Sequence, residues 1–153
     1  RQFVPASKQV GQMQTLLENL SKQETTFGET DFSALCGHLG KHVNKRSFLV
    51  LYTNFSNMTS LNRQLVYLQQ LARQHRVLVV FFEDADLKEY IAGKSVTTEE
   101  YYRHVIAEKF AFEKRLIVST LKQHGIYSLL TTPDKLSIDV INKYLEMKSR
   151  QLL

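Results

Sequence analysis

Two short, unbroken apolar runs limit what this chain can fold into more than any other feature. Phe48-Leu49-Val50-Leu51-Tyr52 and Val77-Leu78-Val79-Val80-Phe81-Phe82 are too short and too uniformly apolar for surface helices. They fit parallel strands that bury both faces. Between them, over about residues 60–75, Leu61, Leu65, Leu68 and Ala72 recur at helical spacing on one face. Strand, helix, strand makes a βαβ unit, whose crossover is expected to be right-handed.

The flanking segments extend the same alternation. Val10, Met13, Leu17 and Leu20 predict a helix over about 7–22, with Ser7 as its N-cap. A polar turn with Gly28 follows. Phe32, Leu35, Leu39 and Val43 predict a second helix over about 31–44, capped by Thr30 or Asp31. Gly37 and Gly40 weaken it, and their clustering suggests close packing against a neighbour. Beyond the second strand comes an acidic loop, Glu83-Asp84-Ala85-Asp86, then a helical turn near 86–92 that ends at Gly93. Thr97-Thr98-Glu99-Glu100 is a capping box, in which the Thr97 hydroxyl accepts from the Glu100 amide and the Glu100 carboxylate reaches back.

The long helix opened by that box is expected to turn Tyr102, Ile106, Phe110, Ile117 and Leu121 inward and to stop at Gly125. Ile126-Tyr127-Ser128-Leu129-Leu130 reads as a third strand. Thr132-Pro133 starts a last helix with Leu136, Val140, Tyr144 and Met147 as its buried stripe. Leu49, Leu78 and Leu129 are expected in one core between helices on both faces. The fold class is therefore α/β, with a doubly wound, mostly parallel sheet.

Composition narrows the class further. The chain has 153 residues, 43% apolar and 23% charged, which suits one globular domain over 1–153 and argues against disorder. Its single cysteine, Cys36, excludes an intrachain disulfide framework and reads as a buried, inert thiol. No apolar run approaches the roughly 20 residues of a membrane span, and the first 20 residues carry no signal-peptide h-region. The net charge of +5 is spread: residues 1–46 hold 6 basic and 4 acidic groups, residues 47–153 hold 14 and 11. That pattern is a solvated mixed surface rather than a nucleic-acid footprint, so no nucleic-acid partner is expected. Arg1 in place of Met, and Phe3-Val4-Pro5 reading like the end of a strand, lead us to expect a piece of a longer protein.

Candidate chemistry is sparse. Neither G-x-G-x-x-G nor G-x-x-x-x-G-K-[ST] occurs, and there is no G-x-S-x-G elbow, which disfavours a nucleotide enzyme or an α/β-hydrolase. His38 and His42 stand four apart, so both imidazoles share a helix face, but zinc would need more ligands than Cys36 supplies. His75, His104 and His124 stand alone, the last beside a helix C-terminus that favours a cation. Open α/β sheets bind ligands outside the carboxyl ends of their strands. Thr53 and Asn54 stand at such an end and Thr30 in the loop before the preceding helix, and their hydroxyl and amide oxygens are hard donors suited to Mg²⁺ or Ca²⁺.

Several stretches resemble the von Willebrand factor A-like domain of the bacterial family labelled domain of unknown function 58. Gly28-Glu29-Thr30-Asp31-Phe32 is similar to its Gly-x-Thr-Asp-Leu turn, and Leu51-Tyr52-Thr53-Asn54-Phe55 to its strand ending in Thr-Asp-Leu. The helix from Tyr101 through Glu108 to Gly125 is similar too, and the segment from Ile141 to Arg150 resembles its Val-Asn-x-Tyr-Leu-x-x-Lys tail. The likeness runs over nearly the whole chain. It implies a Rossmann-like, three-layer A-type sandwich with a metal-ion-dependent adhesion site built from an Asp-x-Ser-x-Ser loop, a Thr and an Asp.

Thr30 matches that Thr and Asn54 stands where the Asp is expected, while the Asp-x-Ser-x-Ser loop and the front strands are missing from this chain. No cofactor is therefore expected in the fragment, with Mg²⁺ reserved for the complete domain. The resemblance implies a non-enzymatic protein–protein interaction module acting with a MoxR-type AAA+ ATPase at the cytoplasmic face, its parent anchored to the membrane by upstream segments. The partner surface would comprise Thr30, Asp31, Thr53, Asn54 and Ser56. The alternative is a divalent-metal or phosphate-dependent enzyme using that edge with Asp84 and Asp86. Without its neighbour, the 47–53 strand would leave an open edge, so a homodimer of the fragment, joined edge to edge or by exchange of N-terminal helices, is also expected.

Overall fold

The computed structural model describes residues 3–5, 10–24, 30–55, 57–82 and 97–153, and the chain divides into two compact units at Asp31 and Phe32. The first unit contains helix α1, Gln12–Ser21, which starts after Gly11 in the left-handed region, at φ 99°. Gln12 donates from its side-chain amide to the Pro5 carbonyl at 2.9 Å. Met13, Leu17 and Leu20 follow the expected period, yet all three are exposed, as is Val10. Phe3, Val4 and Pro5 form no strand. No strand pairs with them among the described residues, and Pro5 has no N–H to offer a ladder. Ser7, the expected cap, and Gly28 lie outside the described residues.

The second unit is a mixed α/β layer of Rossmann-like form. Its described elements are α2 (Phe32–His42), β1 (Phe48–Tyr52), α3 (Met58–Gln74), β2 (Arg76–Phe82), α4 (Thr98–Gln123), β3 (Tyr127–Thr131), a 3₁₀ turn over Pro133–Lys135, and α5 (Leu136–Ser149). The three strands lie in the order β1-β2-β3 and run parallel, with Val50 opposite Leu78 and Leu78 opposite Tyr127. The βαβ unit expected from the two apolar runs is thus present. The acidic loop, the short helical turn near 86–92 and Gly93 lie outside the described residues.

Alternation along the strands sorts the core into two faces. On one, Val77, Val79 and Phe81 of β2 pack with Leu61, Leu68 and Leu71 of α3, with Phe32 of α2, and with Ile117 and Leu121 of α4. Leu49 and Leu51 of β1 and Leu130 of β3 join this face. Leu78 and Val80 point the other way, and each is fully buried. On that side α5 packs against β3, the Tyr144 ring lies 5.8 Å from that of Phe48, and Met147 is buried. Leu49 therefore does not share a core with Leu78 and Leu129, contrary to expectation. It is one residue out of phase with them, because the register sets Leu49 beside Val77 and Leu129 beside Val80.

Local chemistry explains the helix ends. Asn57 caps α3 by accepting from the Ser60 amide at 2.9 Å. The capping box of α4 is formed: Thr97 accepts from Glu100 N–H at 3.2 Å and the Glu100 carboxylate accepts from Thr97 N–H at 3.0 Å. The far end of α4 is a Schellman motif. Gly125, at φ 71°, donates to the Lys122 carbonyl and Ile126 to that of Leu121, both at 3.0 Å. Leu121 and Ile126 both lie in the buried core, the apolar contact this motif favours. A second such motif ends α5, with Gln151 in the left-handed position at φ 55° and Leu152 donating to Met147 at 3.0 Å.

Two expectations about α4 and α2 are corrected. Tyr102, Ile106 and Phe110 are more than half exposed, while Ala107, Ile117 and Leu121 are buried. At 26 residues, or about 39 Å at 1.5 Å per residue, α4 is far longer than the five-residue strand it packs beside, so that strand cannot cover a stripe along its whole length. Gly37 and Gly40 are not close-packing positions: a Cβ built at either meets nothing within 4 Å.

Candidate functional site at the carboxyl edge of the sheet

The segment after β1 is held in place from three directions. Thr53 N–H donates to the Val80 carbonyl at 3.1 Å, which carries the β1–β2 pairing one residue past the strand. Two residues on, the buried Phe55 ring stacks 5.9 Å from Phe32 and meets Phe81 edge-on at 5.9 Å. Between these anchors Asn54 is exposed. Lys114, from the middle of α4, donates its ammonium to Asn54 Oδ1 and, at 3.1 Å, to the Phe55 carbonyl. Burial of that ammonium pushes the Lys114 pKa down from the ordinary lysine value.

Of the five residues expected at a partner surface, Thr53 and Asn54 lie side by side at this edge, Thr53 half-buried and Asn54 exposed. Thr30 and Asp31 are exposed and belong to the first unit. Ser56, Asp84 and Asp86 lie outside the described residues. The chemistry of this edge does not fit a divalent cation at Asn54. The donor is a neutral amide whose oxygen already receives a cationic ammonium, which would repel a second cation. Among the described residues no group of three or more His, Cys, Asp or Glu could hold a metal ion.

Lys114 was legible in principle, because it shares a helix face with Ile117 and Leu121, and a lysine among inward-facing positions marks a buried or bridging ammonium. The carboxyl end of β3 carries another pairing that spacing did not reveal. The buried Thr131 hydroxyl donates to Asp139 Oδ2 of α5 at 2.5 Å, tying the strand end to the helix that follows. At the opposite end of the sheet, the buried His75 accepts the Ser47 N–H on Nδ1 at 3.3 Å, so that imidazole joins the start of β1 to the end of α3. His38 and His42 do share a face of α2, with ring centroids 4.4 Å apart. His124 stands at the C-terminus of α4, as expected, and there it caps the helix, with Nδ1 donating to the Thr120 carbonyl at 2.8 Å.

Cys36 is half-buried rather than fully buried. Its thiol donates to the Tyr67 carbonyl at 3.6 Å, and burial raises its pKa. No helix among the described residues is long and apolar enough to cross a membrane. No family model, curated protein or solved structure matches this chain.

Proposed function

We propose that this chain belongs to a von Willebrand factor A-like domain with a three-layer A-type sandwich, and that it serves protein–protein interaction without catalysis. Its working partner in this reading is a MoxR-type AAA+ ATPase that assembles or activates other proteins, and the contact is made at the carboxyl edge of the sheet. One observation carries the reading. The Thr53-Asn54-Phe55 loop is rigidly preset, with Phe55 in the core, Thr53 on β2, and the exposed Asn54 amide oriented by Lys114. A surface loop fixed in advance loses little entropy on binding a protein. Because the Lys114 ammonium already stands at the Asn54 oxygen, a contact here needs no resident metal; Mg²⁺ would belong to a complete site with added carboxylates.

The test is direct binding of the purified chain to a purified MoxR-type AAA+ ATPase in its ATP- and ADP-bound states. The expected result is nucleotide-dependent binding that the Thr53→Ala/Asn54→Ala double variant weakens at least about tenfold. Binding in neither state at about 100 μM, where even weak protein pairs form, overturns the reading. So does binding that the double variant leaves unchanged.

A further inference from the structure

Positive charge that is spread evenly along the sequence is gathered in space by the fold of the second unit. Helices α2, α3 and α4 each run to the start of a strand, so their ends share the amino end of the parallel sheet. There α2 and the loop after it bring Lys41, Lys45 and Arg46, α3 and β2 bring Arg73 and Arg76, and α4 brings Lys122. Arg76 N–H donates to the Ser47 carbonyl at 2.8 Å and Ser47 N–H to His75 Nδ1 at 3.3 Å, which sets Arg46 and Arg76 about one joint. Tyr127 stands opposite Leu78, so the end of α4 is level with Arg76. Arg76 is half-buried and the other five are exposed; none makes an ion pair among the described residues.

Carboxylates are sorted the opposite way. Glu99, Glu100, Glu108 and Glu113 precede Lys114 in α4, and Lys114 already reaches the carboxyl edge at Asn54. Asp134 and Asp139 follow the end of β3. Among the described residues of this unit, only Glu146 of α5 lies toward the amino end, and Lys143 at 2.8 Å and Arg150 at 3.4 Å engage it. Helix dipoles account for part of the cluster, since Lys41, Arg73 and Lys122 occupy last turns, where a cation is favoured. Lys45, Arg46 and Arg76 lie outside the helices, so no last turn explains them. One-signed charge on one end of a domain attracts a polyanion.

Apolar side chains at the same end indicate which polyanion. The Tyr144 ring lies 5.8 Å from that of Phe48, the first residue of β1, so the later part of α5 ends here too. Tyr144, Leu145 and Leu153 are all exposed, and Lys148 follows Tyr144 by one helical turn. Leucines give a nucleic-acid base no ring to stack on. A headgroup–acyl boundary, by contrast, takes cations, aliphatic side chains and tyrosine together. We infer that the amino end of the sheet is a docking surface for an anionic lipid bilayer, its cations on the headgroups and Tyr144, Leu145 and Leu153 at the boundary below them. Docking by this end leaves the carboxyl edge, at the other end of the strands, open to a protein partner.

Co-sedimentation of the full chain with vesicles tests it, comparing phosphatidylcholine alone with phosphatidylcholine carrying about 30% phosphatidylserine. Binding is expected to the anionic vesicles only, and it should weaken at least about tenfold as salt rises from about 50 to about 500 mM. Lys45→Glu/Arg46→Glu should weaken it at least about tenfold as well. Lys109→Glu/Lys135→Glu makes the same change of net charge on the carboxyl side and should leave binding within about twofold. All four residues are exposed, and circular dichroism checks that both variants fold. Absence of binding to the anionic vesicles at about 50 mM salt overturns the inference. So does equal weakening by the two double variants, or a DNA duplex that displaces the chain from the vesicles at equal phosphate concentration.

Discussion

Lys114 reaches from α4 to the loop after β1, where its ammonium donates both to Asn54 Oδ1 and to the Phe55 carbonyl. The contact joins residues sixty apart in sequence and fixes the exposed Asn54 side chain beside Phe55, which is pinned in the core. Lys114→Met and Asn54→Ala should therefore be coupled. In a double-mutant cycle by urea denaturation we expect an interaction energy of about 0.5–1 kcal/mol, the partial exposure of the pair holding it near the surface range. Additive effects within experimental error would show that the contact has no energetic role.

The same lysine makes stability depend on alkaline pH. Burial lowers the Lys114 pKa, so the folded state carries a cost while the ammonium is charged. That cost is present at neutral pH, declines as pH rises through the lowered folded value, and is gone above the ordinary lysine value of 10.5. Relative to Lys114→Met, the parent chain should gain stability as the pH is raised from neutral toward 10.5. A difference between the two proteins that stays flat with pH would contradict the burial of this charge.

Leu78 and Leu49 occupy opposite faces of the sheet and differ in burial, Leu78 being fully enclosed and Leu49 half-buried. Leu78→Ala should cost about 2–5 kcal/mol and Leu49→Ala clearly less. With the sheet between them, their effects should add to within about 0.5 kcal/mol. Chemical denaturation of the two single variants and the double variant checks all three expectations, and a loss below about 1 kcal/mol for Leu78→Ala would refute its burial.

Backbone conformation points to two opposite glycine changes. Gly40 sits exposed within α2 with open space around it, so Gly40→Ala should stabilise by about 0.5–1 kcal/mol through a less flexible unfolded chain. Gln151 holds the left-handed position of a Schellman motif at φ 55°, where a side chain is strained. Gln151→Gly should relieve that strain and gain roughly 0.5–1 kcal/mol. Thermal melts that move downward for either variant would contradict the geometry at that site.

The half-buried Cys36 thiol, with its raised pKa and its bond to the Tyr67 carbonyl, should react slowly with a thiol reagent. In a stopped-flow assay at mildly alkaline pH, modification of the native chain should lag at least about tenfold behind that of the urea-unfolded chain. Equal rates would show that the site is open.

The elements and their parallel order were legible because each rests on local chemistry. Uniform apolar runs mark two-sided strands, Thr97 with Glu100 spells a capping box, and Gly125 supplies a helix stop. The apolar period of α3 likewise foretold its buried face, since Leu61 and Leu68 both end fully enclosed. What the sequence could not determine is which of several apolar faces a neighbour covers. Period alone could not show that Tyr102, Ile106 and Phe110 stay exposed while Ala107 is buried, because that depends on where the helix is docked. Nor could it assign Leu49 and Leu78 to opposite faces, because that depends on strand register. The Lys114–Asn54 contact was beyond it for the same reason: a hydrogen bond across sixty residues exists only once packing has brought α4 and β1 together, and that proximity belongs to the tertiary structure alone.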